Sequence, residues 1–304
     1  MAMKSFILKT LLFSAIVIGL FVFILTLADG HTDPYYLKFT TPPQDNIILG
    51  TSRGAQAVQP AEFESVLNEK FLNYSFTIGH SPYGPVYLNS VKKKVNPHVT
   101  DGIFVVTVDP WSISNNGEDP NDPSVFIEND LFLADLDSVN KKPNFEYLYK
   151  HLKGKYYTAI FSVDRYLFLH DDGWLEVDVP MDSSLVRKRL KGKIEEYRKI
   201  NLPDRKLSEV RVDYLKQTVE FLKSHGKVYL VRLPISPEMY EIEQEFLPNF
   251  NDVIYPVTQI SDGYLDMSDE NHKYQYTDGN HLWKESGKAV SKKIAEWIKE
   301  SDSY

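Results

Sequence analysis

The chain has 304 residues, of which 42% are hydrophobic and 25% charged, a composition that builds a folded body and excludes a largely disordered one. Its net charge of -8 excludes nucleic acid as a partner, because a polyanion needs a basic face. Cysteine is absent, so disulfide staples, thiolate zinc sites and a cysteine nucleophile are excluded, while the redox compartment stays open.

At the N-terminus, Lys4 and Lys9 precede an uncharged apolar run from Leu11 to Ala28, closed by Asp29. About 18 residues at roughly 1.5 Å each make a helix of about 27 Å, close to the hydrocarbon thickness of a bilayer. Lysines before the run and none just after it put the N-terminus in the cytoplasm. A cleaved signal peptide is the competing reading, although Leu25-Thr26-Leu27-Ala28-Asp29 makes a poor small-x-small cleavage site. Either reading sends the rest of the chain outside the cytoplasm. Residues 1–30 are therefore expected to be a membrane anchor, and 31–45, with Pro34, Pro42, Pro43 and no periodicity, a stalk.

From residue 46 to 300 the pattern predicts one α/β domain. Asn46 to Gly50 is short, apolar and closed by glycine, as a buried parallel strand would be. A helix is expected over Ala61 to Phe71, a strand over Tyr74 to Gly79, a helix over Tyr87 to Val95 and a strand over Ile103 to Val108. The rhythm resumes with an amphipathic Leu207 to Ser224, a strand from Lys227 to Leu233 stopped by Pro234, and a final helix over Lys284 to Lys299. Such alternation implies a three-layer α/β/α sandwich around a central parallel sheet. The less regular stretch 112–202 is read as an insertion bordering the active-site edge, with a hairpin turning at Asp171-Asp172-Gly173-Trp174. Its aromatic residues Tyr147, Tyr149, Tyr156, Tyr157 and Trp174 suit core packing or a sugar-stacking surface.

Two motifs carry chemistry. Gly50-Thr51-Ser52-Arg53-Gly54 follows the first strand directly, where a serine would sit on a tight strand-to-helix turn with backbone N–H groups facing a bound oxyanion. Alone it is weak, since ordinary turns also use glycine and serine. Asp278-Gly279-Asn280-His281 precedes the last helix; there an imidazole could take the serine proton while the aspartate fixes its tautomer. Alone it could equally be a turn and a solvated histidine. Both positions can meet at the carboxyl edge of a doubly wound sheet. A phosphate-binding turn at Gly50–Gly54 is weak, because no lysine follows as in a P-loop.

This arrangement resembles the SGNH (GDSL) hydrolase superfamily, whose serine comes from a first block and whose Asp and His come from a last D-x-x-H block. The matched residues are Ser52, Asp278 and His281, and His281-Leu282-Trp283 with Gly287 resembles the histidine stretch of that family. The resemblance spans roughly Asn46 to Trp297. With its anchor, the chain looks like the membrane-associated members of cell-envelope modification, such as D-alanyl transfer and polysaccharide O-acetylation proteins. It implies an extracytoplasmic serine esterase or acyltransferase on an acylated glycan or other ester, with a membrane-bound acyltransferase as a partner and no cofactor or metal. The α/β-hydrolase alternative fits less well, since only one strand precedes Ser52 and Asp278 lies beside His281 in sequence.

The resemblance also implies Ser52 and Gly79 N–H groups as oxyanion donors. After the third strand it implies an asparagine, where this chain has Val108-Asp109-Pro110-Trp111-Ser112; Asn115, Asn116 or Arg53 would have to substitute. That departure supports a second reading, a catalytically weak scaffold of the envelope. Arg53, His80 and Arg232 are candidate substrate-binding residues, each with a structural alternative. His170-Asp171-Asp172 resembles metal ligands only superficially; a solvated hairpin tip is the plainer reading.

Overall fold

A computed structural model describes residues 2–136, 140–152, 156–161 and 166–301. Residues 137–139, 153–155 and 162–165 of the insertion, and the Tyr156 side chain, lie outside the described residues. The described strands are β1 (Ile47–Leu49), β2 (Leu72–Asn73), β3 (Gly102–Thr107), β4 (Ser114–Asn116), β5 (Leu167–Leu169), β6 (Leu175–Val177), β7 (Arg205–Leu207), β8 (Gly226–Arg232) and β9 (Gly263–Asp266). Five of them form one fully parallel sheet in the order β2-β1-β3-β8-β9. The small antiparallel pairs β4–β7 and β5–β6 lie outside it.

Both faces of the sheet are covered, which is why β1 and β3 read as unbroken apolar runs rather than as alternation. Ile47, Leu49, Phe104, Val106, Val228 and Leu230 pack toward the helices Pro85–Lys94 and Glu209–Lys223. Ile48, Val105, Tyr229 and Val231 pack toward the opposite layer, built from Phe63, Val290, Ile294 and Ile298. Complete burial of one such aliphatic side chain contributes about 1.5–3 kcal/mol. The last helix, Lys284–Ser301, presents the spaced face read from its sequence, with Val290, Ile294 and Ile298 all inaccessible to solvent.

The N-terminal helix runs Ala2–Thr26, and its segment Met3–Thr26 is long and apolar enough to cross a membrane, with the body leaving it uncovered. A signal sequence would have the same form. The expected stalk is instead part of the folded body. Tyr36–Thr40 is a helix with all five residues buried, and Leu169 N–H donates to the Gly30 carbonyl, joining this segment to the β5–β6 hairpin. The prolines mark its ends, but Tyr36, Leu37 and Phe39 have more to gain from the core than from solvent. Phe39 stacks within a cluster of Tyr74, Phe76, Phe132 and Tyr147.

Lys38, in the same helix, is buried and donates to the Ser75 carbonyl, while Lys94 donates to the Thr41 carbonyl at 2.7 Å. Burial pushes both ammonium groups down to about 7, with Asp172 pulling Lys38 the other way. An unfolded lysine keeps its proton to about pH 10.4, so above pH 7 the unfolded chain binds more protons and stability rises with pH. Above about pH 10 the sign reverses, because burial holds Tyr74 and Tyr83 protonated only in the folded state. The unfolding midpoint is therefore expected to climb from pH 7 to 10, and Lys38→Met to flatten that climb. A midpoint that falls over this interval in the wild type would contradict the assignment.

Several expected elements shift. The helix expected over Ala61 to Phe71 runs Pro60–Leu67, ended by Asn68 in a left-handed conformation at φ 58°. The second strand begins earlier than expected, at Leu72, and residues 78–80 form a turn. The helices Ser183–Glu196, Pro237–Phe246 and Phe250–Thr258 and the edge strand β9 are additional to the elements expected from periodicity.

Candidate active site

Parallel strands put all their carboxyl ends on one edge, and Ser52 stands there immediately after β1. It opens the short helix Ser52–Ala57, with Thr51 as its N-cap residue. Gly50 is required for this turn to lie so low. A Cβ on it would come 1.8 Å from Thr107 Oγ1, whose hydroxyl is donated to the Leu49 carbonyl at 3.0 Å. The Ser52 N–H, in the first turn of a helix, has no intrahelical acceptor.

The second half of the site is the loop between Tyr276 and Leu282, which are joined by an antiparallel bridge. Gly279 has φ +88°, and a Cβ there would lie 2.3 Å from Leu190 Cδ1, so the loop closes tightly only with glycine. Asp278 Oδ1 accepts from the N–H groups of Asn280 at 3.0 Å and His281 at 2.9 Å. His281 Nδ1 lies 3.1 and 3.0 Å from the two Asp278 oxygens, and its Nε2 lies 2.9 Å from Ser52 Oγ. A carboxylate can only accept, so Nδ1 carries the proton and Nε2 is left to accept from the serine hydroxyl.

Only 18% of the Asp278 side chain and 12% of the His281 side chain are exposed, so this contact is partly shielded from water. Burial works against the Asp278 charge, but the facing His281, its hydrogen bonds and Lys193 outweigh burial and hold the carboxyl well below the usual range.

Ser52 and His281 open into a cavity of about 130 Å³ walled by Trp111, Tyr197, Asn201, Arg205 and Asn280. Trp111 stacks on Phe246 at 4.8 Å and meets the Tyr197 ring edge-on at 4.9 Å, making this wall rigid. Tyr197 and Asn201 come from the irregular end of the insertion, and Arg205 from β7 just after it. Their sequence neighbourhood shows no chemical motif, and periodicity could not have marked them.

The other expected site residues lie elsewhere. Gly79 does not line the serine cavity; it lines an adjoining one of about 150 Å³, together with Asn115 and Asn116. Ile78 and Arg205 border both cavities. Arg53 and Arg232 are corrected from substrate contacts to buried structural cations, 6% and 4% exposed. Arg53 donates to Glu243 at 2.5 Å and to Asn280 Oδ1 at 3.0 and 2.6 Å, and Arg232 donates to the same Glu243 at 3.0 Å. Two cations share one buried carboxylate because neither could be stripped of water unpaired. Arg53 thereby ties the Ser52 turn to the middle of the D-x-x-H loop.

His80 also turns away from the cleft. Its Nδ1 bonds to Thr77 Oγ1 at 2.6 Å, and its ring stacks on Phe132 at 4.6 Å. Asp109, standing where the resemblance implies an asparagine, caps the short helix Pro110–Ile113 by accepting from Ser112 N–H at 2.9 Å, while its other oxygen faces the Thr51 hydroxyl at 3.4 Å. Burial pushes its carboxyl above its ordinary value, against the pull of Arg53. The 171–173 turn is a hairpin tip, but it is docked rather than solvated. Asn73 N–H donates to the Asp172 carbonyl at 2.8 Å, Trp174 donates to Gln56, and His170 pairs with Glu176 at 2.9 Å.

The fold and the site together define an α/β protein with a Ser–His–Asp constellation assembled at the carboxyl edge of its sheet. Neither family profiles nor curated proteins give a match to the chain. A solved structure of an acetyl xylan esterase from the rumen bacterium Butyrivibrio proteoclasticus is similar to it with a TM-score of 0.32 and 8% sequence identity. That similarity covers 87% of this chain, which spans 65% of the length of the esterase chain.

Proposed function

We propose that the protein is a membrane-tethered serine esterase or acyltransferase of the SGNH-like type, acting outside the cytoplasm on O-acyl esters, with an acylated envelope glycan as substrate. The observation that carries this reading is the 2.9 Å contact between Ser52 Oγ and His281 Nε2, continued at 3.0 Å to Asp278. Such spacing is that of a working nucleophile and base.

In the proposed reaction Ser52 Oγ attacks the acyl carbonyl and its proton passes to His281 Nε2. Asp278 stabilises the imidazolium so formed without itself taking the proton. The Ser52 N–H, at the positive end of its helix, meets the developing oxyanion; Gly79, the second donor implied by the resemblance, lines the adjoining cavity and is not assigned that step. Collapse expels the alcohol, which leaves with the proton held at Nε2, and an acyl-Ser52 remains. Water or an acceptor hydroxyl then gives its proton to Nε2 and attacks the acyl carbon; the acyl–Oγ bond breaks, Ser52 Oγ takes back the proton held at Nε2, and the acid or a new ester is released. At about 30 Å³ per water molecule the serine cavity holds about four waters, room for a short acyl group rather than a long chain.

The test is labelling of the full-length protein, in detergent, with a fluorophosphonate probe. Wild type is expected to label and Ser52→Ala to remain unlabelled. A folded wild type that does not label would move the protein to the scaffold reading.

A further inference from the structure

Most buried arginines here face a carboxylate. Arg53 and Arg232 share Glu243, and Arg211 is paired with the fully buried Glu128 at 2.7 Å. Arg205 differs. It is partly buried, and its hydrogen bonds among the described residues are to Ser114, at 3.3 Å to the carbonyl and 3.4 Å to the hydroxyl, with its Nε lacking any partner there. No acidic side chain lies within salt-bridge distance of it among the described residues. Burial is the largest influence and lowers its pKa, and Arg211 adds to the lowering, while Tyr197, Asp109 and Glu128 pull the other way from beyond salt-bridge distance.

Arg205 stands where the two cavities adjoin. On one side is the space that holds Ser52 and His281, where Lys193 and Glu196 also stand; on the other is the 150 Å³ cavity, lined by Arg205, Arg211, Asn115 and Asn116 and, among the described residues, by no acidic one. Asn115 Oδ1 is engaged by Arg211 at 3.1 Å, which turns the Asn115 amide nitrogen, a donor, away from that guanidinium. The wall of the second cavity thus offers the Arg205 guanidinium and two amides, beside an Arg211 whose charge already faces Glu128. Guanidinium groups match the planar, two-oxygen geometry of carboxylate and phosphate better than any other side chain does. A partly buried cation with no carboxylate at ion-pair distance is costly to hold, and a protein that keeps one beside Ser52 recovers part of that cost when an anion arrives.

We infer that this second cavity is an anion subsite, and that Arg205 binds a carboxylate or phosphate carried by the ester on which Ser52 acts. The inference rests on the proposed serine chemistry for its connection to a substrate, but the anion binding itself does not. Val125 and Ile127, both largely exposed, rim the cavity and leave its mouth apolar beside the charged interior.

The experiment titrates full-length protein in detergent with inorganic phosphate and with succinate, followed by calorimetry, and repeats each titration on Arg205→Gln, Arg205→Lys and Ser52→Ala. Saturable binding of at least one anion is expected in wild type and Ser52→Ala, weakened tenfold or more in Arg205→Gln and less in Arg205→Lys. Unfolding midpoints confirm that each variant is folded. Absence of saturable binding to folded wild type, or equal binding by Arg205→Gln, overturns the subsite. Which anion binds more tightly separates a carboxylate from a phosphate ligand. The same anion at saturation is also expected to slow fluorophosphonate labelling of Ser52 at least tenfold, and unslowed labelling overturns its place in the substrate site. Failure to label at all removes the proposed esterase instead, while the titration still decides whether the cavity takes an anion.

Discussion

Asp278→Asn is expected to lower the rate of acylation of Ser52 about 10⁴-fold while leaving the fold in place. Both backbone donors that brace the loop, from Asn280 and His281, end on Oδ1, and an asparagine oxygen can keep them. The amide nitrogen then takes the position of Oδ2 and donates to His281 Nδ1. The imidazole is forced into the tautomer with its proton on Nε2, which can donate to Ser52 Oγ but cannot accept from it. The expected result is a collapse in kcat for a small chromogenic acetate ester, with little change in KM or in the unfolding midpoint. A variant retaining a tenth of the wild-type rate would show that Asp278 does not set the tautomer.

Acid stability provides a second readout of the same pair. A carboxyl held low in the folded state contributes stability that is complete above its unfolded pKa and is lost as pH falls toward the folded one. The wild type should lose this contribution on acidification below about pH 4, and Asp278→Asn should lack it.

Glu243→Ala is expected to cost about 3–5 kcal/mol of folding stability, the usual result of removing one partner from a buried ion pair. Glu243 is 1% exposed and pairs with two guanidinium groups at once. Without it Arg53 has no carboxylate at salt-bridge distance among the described residues, only the more distant Asp109, and Arg232 keeps Asp266 at 3.7 Å. The damage reaches the chemistry because Arg53 also holds Asn280, between the two loop members of the triad. Ser52 labelling should therefore slow at temperatures where the variant is still folded. Glu243→Gln keeps an acceptor oxygen and should lose less. Chemical denaturation in detergent measures the first effect, and a change below 1 kcal/mol would mean that the two arginines find other partners.

Ser52 was legible in the sequence because a strand ending in glycine leaves few places for the next residue. Asp278 and His281 were legible because three residues of spacing suffice to join a carboxylate and an imidazole within one loop. The parallel sheet was legible in the same local way, since β1 and β3 are short unbroken apolar runs and the last helix carries a repeating buried face.

The roles of Arg53 and Arg232 were not legible. A sequence shows a positive charge but not the partner it will meet, and Glu243 is far from Arg53 along the chain. Tyr36 to Thr40 resembles a stalk in sequence because its prolines speak locally, whereas the aromatic cluster that captures Phe39 is assembled from distant segments. The cavity walls, from Trp111 through Tyr197 to Arg205, follow no period at all. Short-range geometry thus determined the Ser52 turn, the loop opposite it and the sheet that carries them. Only packing between remote segments decided which charges are neutralised, and Arg205 was left beside the serine with no carboxylate of its own among the described residues.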